Sequence, residues 1–222
     1  MLFRIQNRTV QSINLISILI LLVFILSGYK TIVDEIESDF KKIEYSILPT
    51  SNLEVNGKTN VNSFSCISKE RFTNERVDYR KDDNDLSISL RNTLFLLKVE
   101  ELDCGKKKIN KDLKKALQVE NYPNIKVLLK ELINVECNDK VECNEWLSYD
   151  AQTEITITCN TRTINIPIMV NKLDEMSYRV TGGTDLQLCD FDVEAPTALF
   201  GIIKVKDLIQ FNFDLYVDLR AI

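Results

Sequence analysis

The chain has 222 residues, 45% hydrophobic and 27% charged, enough apolar material for one sizeable core and not the composition of a disordered chain. Its formal net charge is −5, and an acidic surface repels phosphate backbones, which disfavours nucleic-acid binding. Histidine is absent, which removes imidazole bases, histidine-dependent triads and histidine metal sites.

At the amino end, Arg4 and Arg8 precede an apolar run, Ile13 to Leu26, interrupted only at Asn14 and Ser17. A basic region before an apolar one is the pattern of a secretory signal, and Ser27-Gly28 supplies small residues for cleavage. The run spans 14 residues, short of the roughly 20 that cross a bilayer. Residues 1–28 therefore read as a signal peptide or as a retained signal anchor, which would be the chain's membrane contact. Either reading predicts export, to the periplasm or beyond. Cleavage would leave a net charge of −7, since only Arg4 and Arg8 are lost. Residues 29–42 follow as a stalk or short helix, with Ile32, Ile36 and Phe40 four apart. Residues 43–222 are expected to form one domain.

From Ile43 onward the pattern has period two, the signature of half-buried strands. Ile43, Tyr45 and Ile47 alternate with Glu44 and Ser46, and Leu53 and Val55 follow a turn at Pro49 to Ser51. Leu86, Ile88 and Leu90 alternate with polar neighbours, and Ile125, Val127, Leu129, Ile133 and Val135 share one parity. Between residues 155 and 170 the parity changes: Ile155 and Ile157 are odd, whereas Ile164, Ile166 and Ile168 are even. A strand cannot switch its buried parity without a turn or bulge, and the polar stretch Asn160 to Thr163 is the expected hairpin loop. The longest alternation comes last. Ile209, Phe211, Phe213, Leu215, Val217 and Leu219 form an apolar face opposite Gln210, Asn212, Asp214, Tyr216 and Asp218.

One helix is expected near residues 111–119, capped by Asn110, with Leu113, Ala116 and Leu117 as its apolar stripe and Pro123 beyond its end. Many strands with one short helix suggest an all-β meander that closes on itself, because closure removes exposed edges. The carboxylates at Asp82, Asp83 and Asp85 and at Glu100 and Glu101 lack calcium-loop order and read as solvated charges. Asn60 and Asn62 flank a strand turn, where they could meet a ligand headgroup or bond the loop backbone.

Six cysteines, an even count in an exported chain, suggest disulfides, and their spacings match neither a zinc ribbon nor a thioredoxin-type motif. Cys137 and Cys143 flank a polar turn that a bridge could staple. Cys159 and Cys189 would face each other if the intervening segments fold back as a meander, with free thiols as the alternative.

Four segments, in order, resemble the YceI-like family in the form common among Bacteroidetes. These are Leu53 to Cys66, containing Thr59-Asn60-Val61-Asn62; Leu102 to Gly105 with the capped helix and Asn121-Tyr122-Pro123-Asn124-Ile125; Thr156 to Thr161; and Leu188 to Val193 with Pro196 to Gly201. Cys159 stands where that family usually has glycine. The resemblance implies an antiparallel, lipocalin-like closed barrel of about eight strands, with an apolar cavity holding an isoprenoid or fatty-acyl molecule. It also implies a Cys66–Cys104 disulfide. Phe64 and Ile88 are candidate lining residues, together with the Phe211, Phe213, Leu215 and Val217 face, which could equally be plain core. No cofactor is expected, and no nucleophile–base pair that would mark an enzyme can be assembled. The two functional classes that stand are a carrier of a hydrophobic small molecule and a structural or interaction domain whose barrel is filled.

Overall fold

The computed structural model describes residues 39–72, 75–82, 86–135, 145–198 and 202–221. The chain divides into two units, Met1–Phe40 and Lys41–Ile222, and the second holds the features below. The signal or anchor segment, residues 29–38 and the Cys137–Cys143 stretch lie outside the described residues. Strand structure begins at Lys41, so Lys41 and Lys42, expected within the stalk or helix of residues 29–42, belong to a strand.

In chain order the strands are β1 (Lys41–Ile47), β2 (Asn52–Thr59), β3 (Ser63–Ser68), β4 (Glu75–Lys81), β5 (Ser87–Arg91), β6 (Leu94–Lys98) and the short β7 (Leu102–Asp103). Helix α1 (Lys107–Ala116) follows. Then come β8 (Asn124–Asn134), β9 (Trp146–Ile157), β10 (Asn160–Lys172), β11 (Ser177–Gln187), the short β12 (Thr197–Ala198) and β13 (Ile203–Ala221). Antiparallel pairing runs β1–β4–β5–β8–β9–β10–β11–β13 and returns to β1, an eight-stranded closed ring. The expected all-β antiparallel barrel with one short helix is the fold observed.

Two strands of the ring each have a partner made in two pieces. The 19-residue β13 pairs with β2 along Val205–Asp214 and with β1 along Val217–Ala221. The break falls at the Pro49 turn, since proline cannot donate to a ladder. Ser51 bridges it: its Oγ accepts the Tyr216 N–H at 2.9 Å, while Leu48 N–H donates to the Tyr216 carbonyl at 2.8 Å. In the same way β8 pairs with β6 over Asn124–Leu128 and with β5 over Glu131–Ile133. Here Thr93 bridges the break, its hydroxyl donating to the Leu129 carbonyl and its own carbonyl accepting the Leu129 N–H. These hydroxyl repairs satisfy backbone groups that the interrupted ladders would leave orphaned.

The register of β8 against β9 shifts between Leu129 and Glu131, which makes Lys130 an extra residue. A bulge reverses the buried parity. Ile125, Val127 and Leu129 face inward before it, but Asn134 is buried after it, and Ile133 and Val135 are exposed. The single inward parity expected from Ile125 to Val135 is thus corrected. The change between residues 155 and 170 has a simpler cause. Ile157 pairs with Asn160 across a two-residue turn, Thr158-Cys159, with Thr158 at a positive φ of 54°. Partners in this register sum to an odd number, so odd residues of β9 share a face with even residues of β10. Asn160 to Thr163, expected as the loop, are strand residues of β10.

The helix lies a few residues earlier than expected, and Asn110 is inside it rather than capping it. Its side chain is used elsewhere: Oδ1 accepts the Cys104 N–H at 2.8 Å and Nδ2 donates to Asp103 at 3.0 Å. Leu113, Ala116 and Leu117 do turn toward the core, where Val99, Ile155, Phe191 and Val193 are fully enclosed.

Candidate functional site

The barrel interior is not filled. A cavity of about 480 Å³ occupies the end nearest α1, and a second chamber of about 150 Å³ lies deeper. Leu53, Leu97, Val127 and Phe211 border both and form the waist between them. The larger volume lies in the range of small-molecule sites.

The walls follow from strand parity. Odd residues of β13 point inward, so Ile209 and Phe211 line the outer chamber, while Phe211, Phe213 and Leu215 line the deeper one. Opposite them, Ile155 and Ile157 of β9 and Ile125 and Val127 of β8 complete the outer wall. Helix α1 covers the gap beside β3 with Ile109, Leu113 and Ala116. The Cys66–Cys104 disulfide, spanning 38 residues, joins β3 to the segment entering that helix, and both cysteines border the cavity.

Two glycines give rings their places. Gly57 pairs with Phe64 across β2 and β3, and a Cβ there would come within 2.3 Å of the Phe64 ring. The ring lies over the glycine and forms part of the cavity wall. Gly182 does the same for Phe213, its partner across β11 and β13, with 2.8 Å left for a Cβ.

Phe64, Phe211, Phe213 and Leu215 thus border the chambers. Val217 and Ile88 do not: Val217 lies further along β13, and Ile88 is half-buried on β5, beyond either lining. Sequence reading missed the aromatic pair of the deep chamber, Phe72 and Phe95, whose rings meet edge to face at 6.5 Å, with Tyr45 6.0 Å from Phe95. Phe95 lies on the five-residue β6 and Phe72 between strands, so neither sits in a periodic run. It also missed the lysines at the mouth, although three in succession, Lys106 to Lys108, in an acidic chain were a visible signal.

The polar residues of the larger cavity's lining are Asn62, Ser63, Lys106, Lys108 and Thr197, which are exposed at its mouth, and the half-buried Thr59, Ser65 and Asp112. Inside, Thr153 donates to the Ile164 carbonyl at 2.7 Å, and among the described residues no buried side-chain nitrogen or oxygen lacks a partner. The deeper chamber therefore has an apolar wall, its one polar lining residue, Thr153, being hydrogen-bonded. Just outside, Asp103 accepts from Lys69 at 2.5 Å, from Asn110 and from the Gly105 N–H, and these donors hold its carboxyl well below the usual range. Asn60 bonds the backbone at the mouth, donating to Ile202 O at 2.8 Å and accepting from the Lys204 N–H at 3.0 Å.

Cys159 and Cys189 are not bridged; both are exposed free thiols. The two are near in the fold, since Thr158 and Asn160 both donate to the Phe191 carbonyl. Cys189, however, is held by Asp207, which accepts from its backbone N–H and its Sγ, each at 2.9 Å. That carboxylate, with burial, pushes the thiol pKa upward.

Compared as a sequence, the chain matches no described protein family and no curated protein. Its fold is similar to that of a polyisoprenoid binding domain. That domain, from Saccharophagus degradans, superposes with a TM-score of 0.56 at 10% identity, covering 79% of this chain and 98% of its own. BcnA of Burkholderia cenocepacia gives 0.55 at 18% identity, covering 75% and 95%. The YCEI protein of Campylobacter jejuni gives 0.46 at 11% identity, covering 72% and 82%. At these identities the likeness is one of fold.

Proposed function

We propose that the chain is an exported, non-enzymatic carrier that holds one isoprenoid or fatty-acyl chain in the barrel, as its resemblance to the YceI-like family implies. The supporting observation is the predominantly apolar lining of two adjoining chambers, about 480 and 150 Å³, with the exposed polar lining residues gathered at the mouth. A hydrocarbon chain needs a dry apolar wall and no catalytic group. Ten methylenes moved there from water would contribute about 8 kcal/mol before the costs of association. The polyisoprenoid binding domain with the similar fold supports the same ligand class. Arg4, Arg8 and the apolar run after them support export, by cleavage or as an anchor.

Mass spectrometry of organic extracts from the purified protein tests this reading. A co-purifying isoprenoid or acyl lipid in near-equal molar amount is the expected result. Extracts without lipid, together with no binding of a fluorescent fatty acid, would overturn it and favour a structural or interaction domain.

A further inference from the structure

Helix α1 departs from the charge balance of the chain. Six of the 28 basic residues fall in the eleven positions Lys106 to Ala116, against one carboxylate, Asp112. Three of these lysines, Lys106, Lys107 and Lys108, stand at the helix start, where the macrodipole is positive and no acidic residue offsets them. Cations there destabilise a helix, so folding does not account for their placement. Lys114 pairs with Glu100, but among the described residues Lys106, Lys107, Lys108 and Lys111 form no ion pair, and all four are exposed. Their charge is available to something outside the barrel.

A second observation lies across the mouth. Val61 and Ile202 are the most exposed large apolar side chains among the described residues, at 63% and 69%. They belong to separate segments, yet Asn60 holds those segments together through its bonds to Ile202 O and to the Lys204 backbone. Thr59, Asn62 and Ile203, their chain neighbours, border the cavity. Lys58, Lys204 and Lys206 are exposed beside them; the carboxylates of this end are Asp190, Asp192 and Glu194, exposed around the lining residues Leu188 and Val193, Asp112 of the lining itself, and Asp207, already bonded to Cys189. The opening thus carries a lysine-rich sector on α1, further lysines at 58, 204 and 206, and two protruding apolar tips. Basic side chains with apolar residues at one level is the chemistry that fits an anionic bilayer, headgroups meeting the lysines and acyl tails meeting the tips.

We propose that the mouth of the barrel docks on an anionic lipid bilayer, with the α1 lysines on the headgroups and Val61 and Ile202 inserted beside the opening. Docking goes beyond ligand binding: it concerns the outer surface and does not require that the cavity be occupied. In that pose the apolar cavity opens directly toward the bilayer, with no crossing of water for a lipid entering or leaving.

A tryptophan placed at the tip reads this directly in the full chain. Val61→Trp is measured with vesicles of phosphatidylglycerol and phosphatidylcholine whose acyl chains are brominated, and with phosphatidylcholine vesicles alone. The natural Trp146 serves as an internal control, because it begins β9, about 36 Å along that strand from Ile157 at the mouth. Quenching of the introduced tryptophan but not of Trp146, in anionic vesicles and abolished by high salt, is the expected result. Each Lys→Gln change at 106, 107, 108 or 111 should then lower the binding constant about fivefold. Insertion through residues 1–28 alone would leave the introduced tryptophan unquenched and overturn the proposal. So would equal quenching in neutral vesicles, or a concentration-dependent change in its emission without vesicles, which would mark self-association instead. A lipid-free extract and no binding of a fluorescent fatty acid, with intact quenching, would overturn the carrier reading and leave docking standing.

Discussion

The two ends of the barrel are built from the same strands and differ in how they are closed. At the end away from α1, β1 and β4 complete the ring, and large side chains fill most of the space: Leu147 is 1% exposed, and the rings of Tyr45, Phe72 and Phe95 pack together. At the other end the split partners diverge. Beyond the Pro49 turn β2 leaves toward β3, and beyond Thr93 β6 continues along β8, with no strand on its other edge among the described residues. A helix and a disulfide close the gap instead of a ladder. A ladder draws strands to about 4.8 Å apart and leaves side chains to fill the middle. A helix held at a distance leaves room. The contrast teaches that the cavity arises from where two strand partners are interrupted, more than from the size of the lining residues.

The largest effect should come from the disulfide. Replacing Cys66 and Cys104 by serine removes a 38-residue closure at the open end and should cost about 4 kcal/mol, read by urea unfolding. An unchanged midpoint would mean that the helix needs no staple. Next, Leu147→Ala at the packed end should cost about 3 kcal/mol, whereas Leu113→Ala on the cavity wall should cost about 1 kcal/mol, because Leu113 already borders empty space. Equal costs would erase the distinction between the ends.

A smaller effect concerns Tyr45. Burial first, and then the Glu75 carboxylate that its hydroxyl contacts at 3.2 Å, raise its pKa above the ordinary value near 10. A raised folded value means that its stabilising contribution is fully present below about pH 10 and is lost as pH rises past it. Wild-type stability should therefore fall in strong alkali more steeply than that of Tyr45→Phe, which at neutral pH should be weaker by about 1 kcal/mol for the lost hydrogen bond. The smallest effect is expected at Arg179 and Asp214, a bidentate pair at 2.8 and 2.7 Å on the outer face, with the guanidinium over Trp146 and Tyr216. The arginine bonds lower the Asp214 pKa, so the pair's contribution is present above the ordinary carboxylate range and lost as pH falls through the lowered value. Asp214→Asn should change neutral-pH stability by less than about 1 kcal/mol.

Several features of the site were legible before the fold was known. The alternation from Ile209 to Leu219 placed Phe211, Phe213 and Leu215 on one inward face, because strand parity is a local property. The stripe Leu113, Ala116 and Leu117 showed which side of the helix is apolar. Ile88 and Val217 carried the same parity signal as their neighbours but border neither chamber, since parity reports which face a residue shares and not how far along the barrel the space extends. Asn110 had the composition and position of a cap, yet its amide groups are claimed by Cys104 and Asp103, partners that local sequence does not rank.

By itself the sequence determined the class of the fold: period-two alternation with few breakers demands paired strands with one buried face, and an acidic chain without histidine narrows the chemistry. Tertiary structure alone decided the rest. The bulge at Lys130 turned Ile133 and Val135 outward, and the two-residue turn at Thr158-Cys159 drew Asn160 to Thr163 into a strand. The same closure left a cavity behind the helix, with lysines and two apolar tips around its mouth. The reason is physical: the face a residue shows is set within a few residues, whereas a void is set by the distance between elements far apart in the chain.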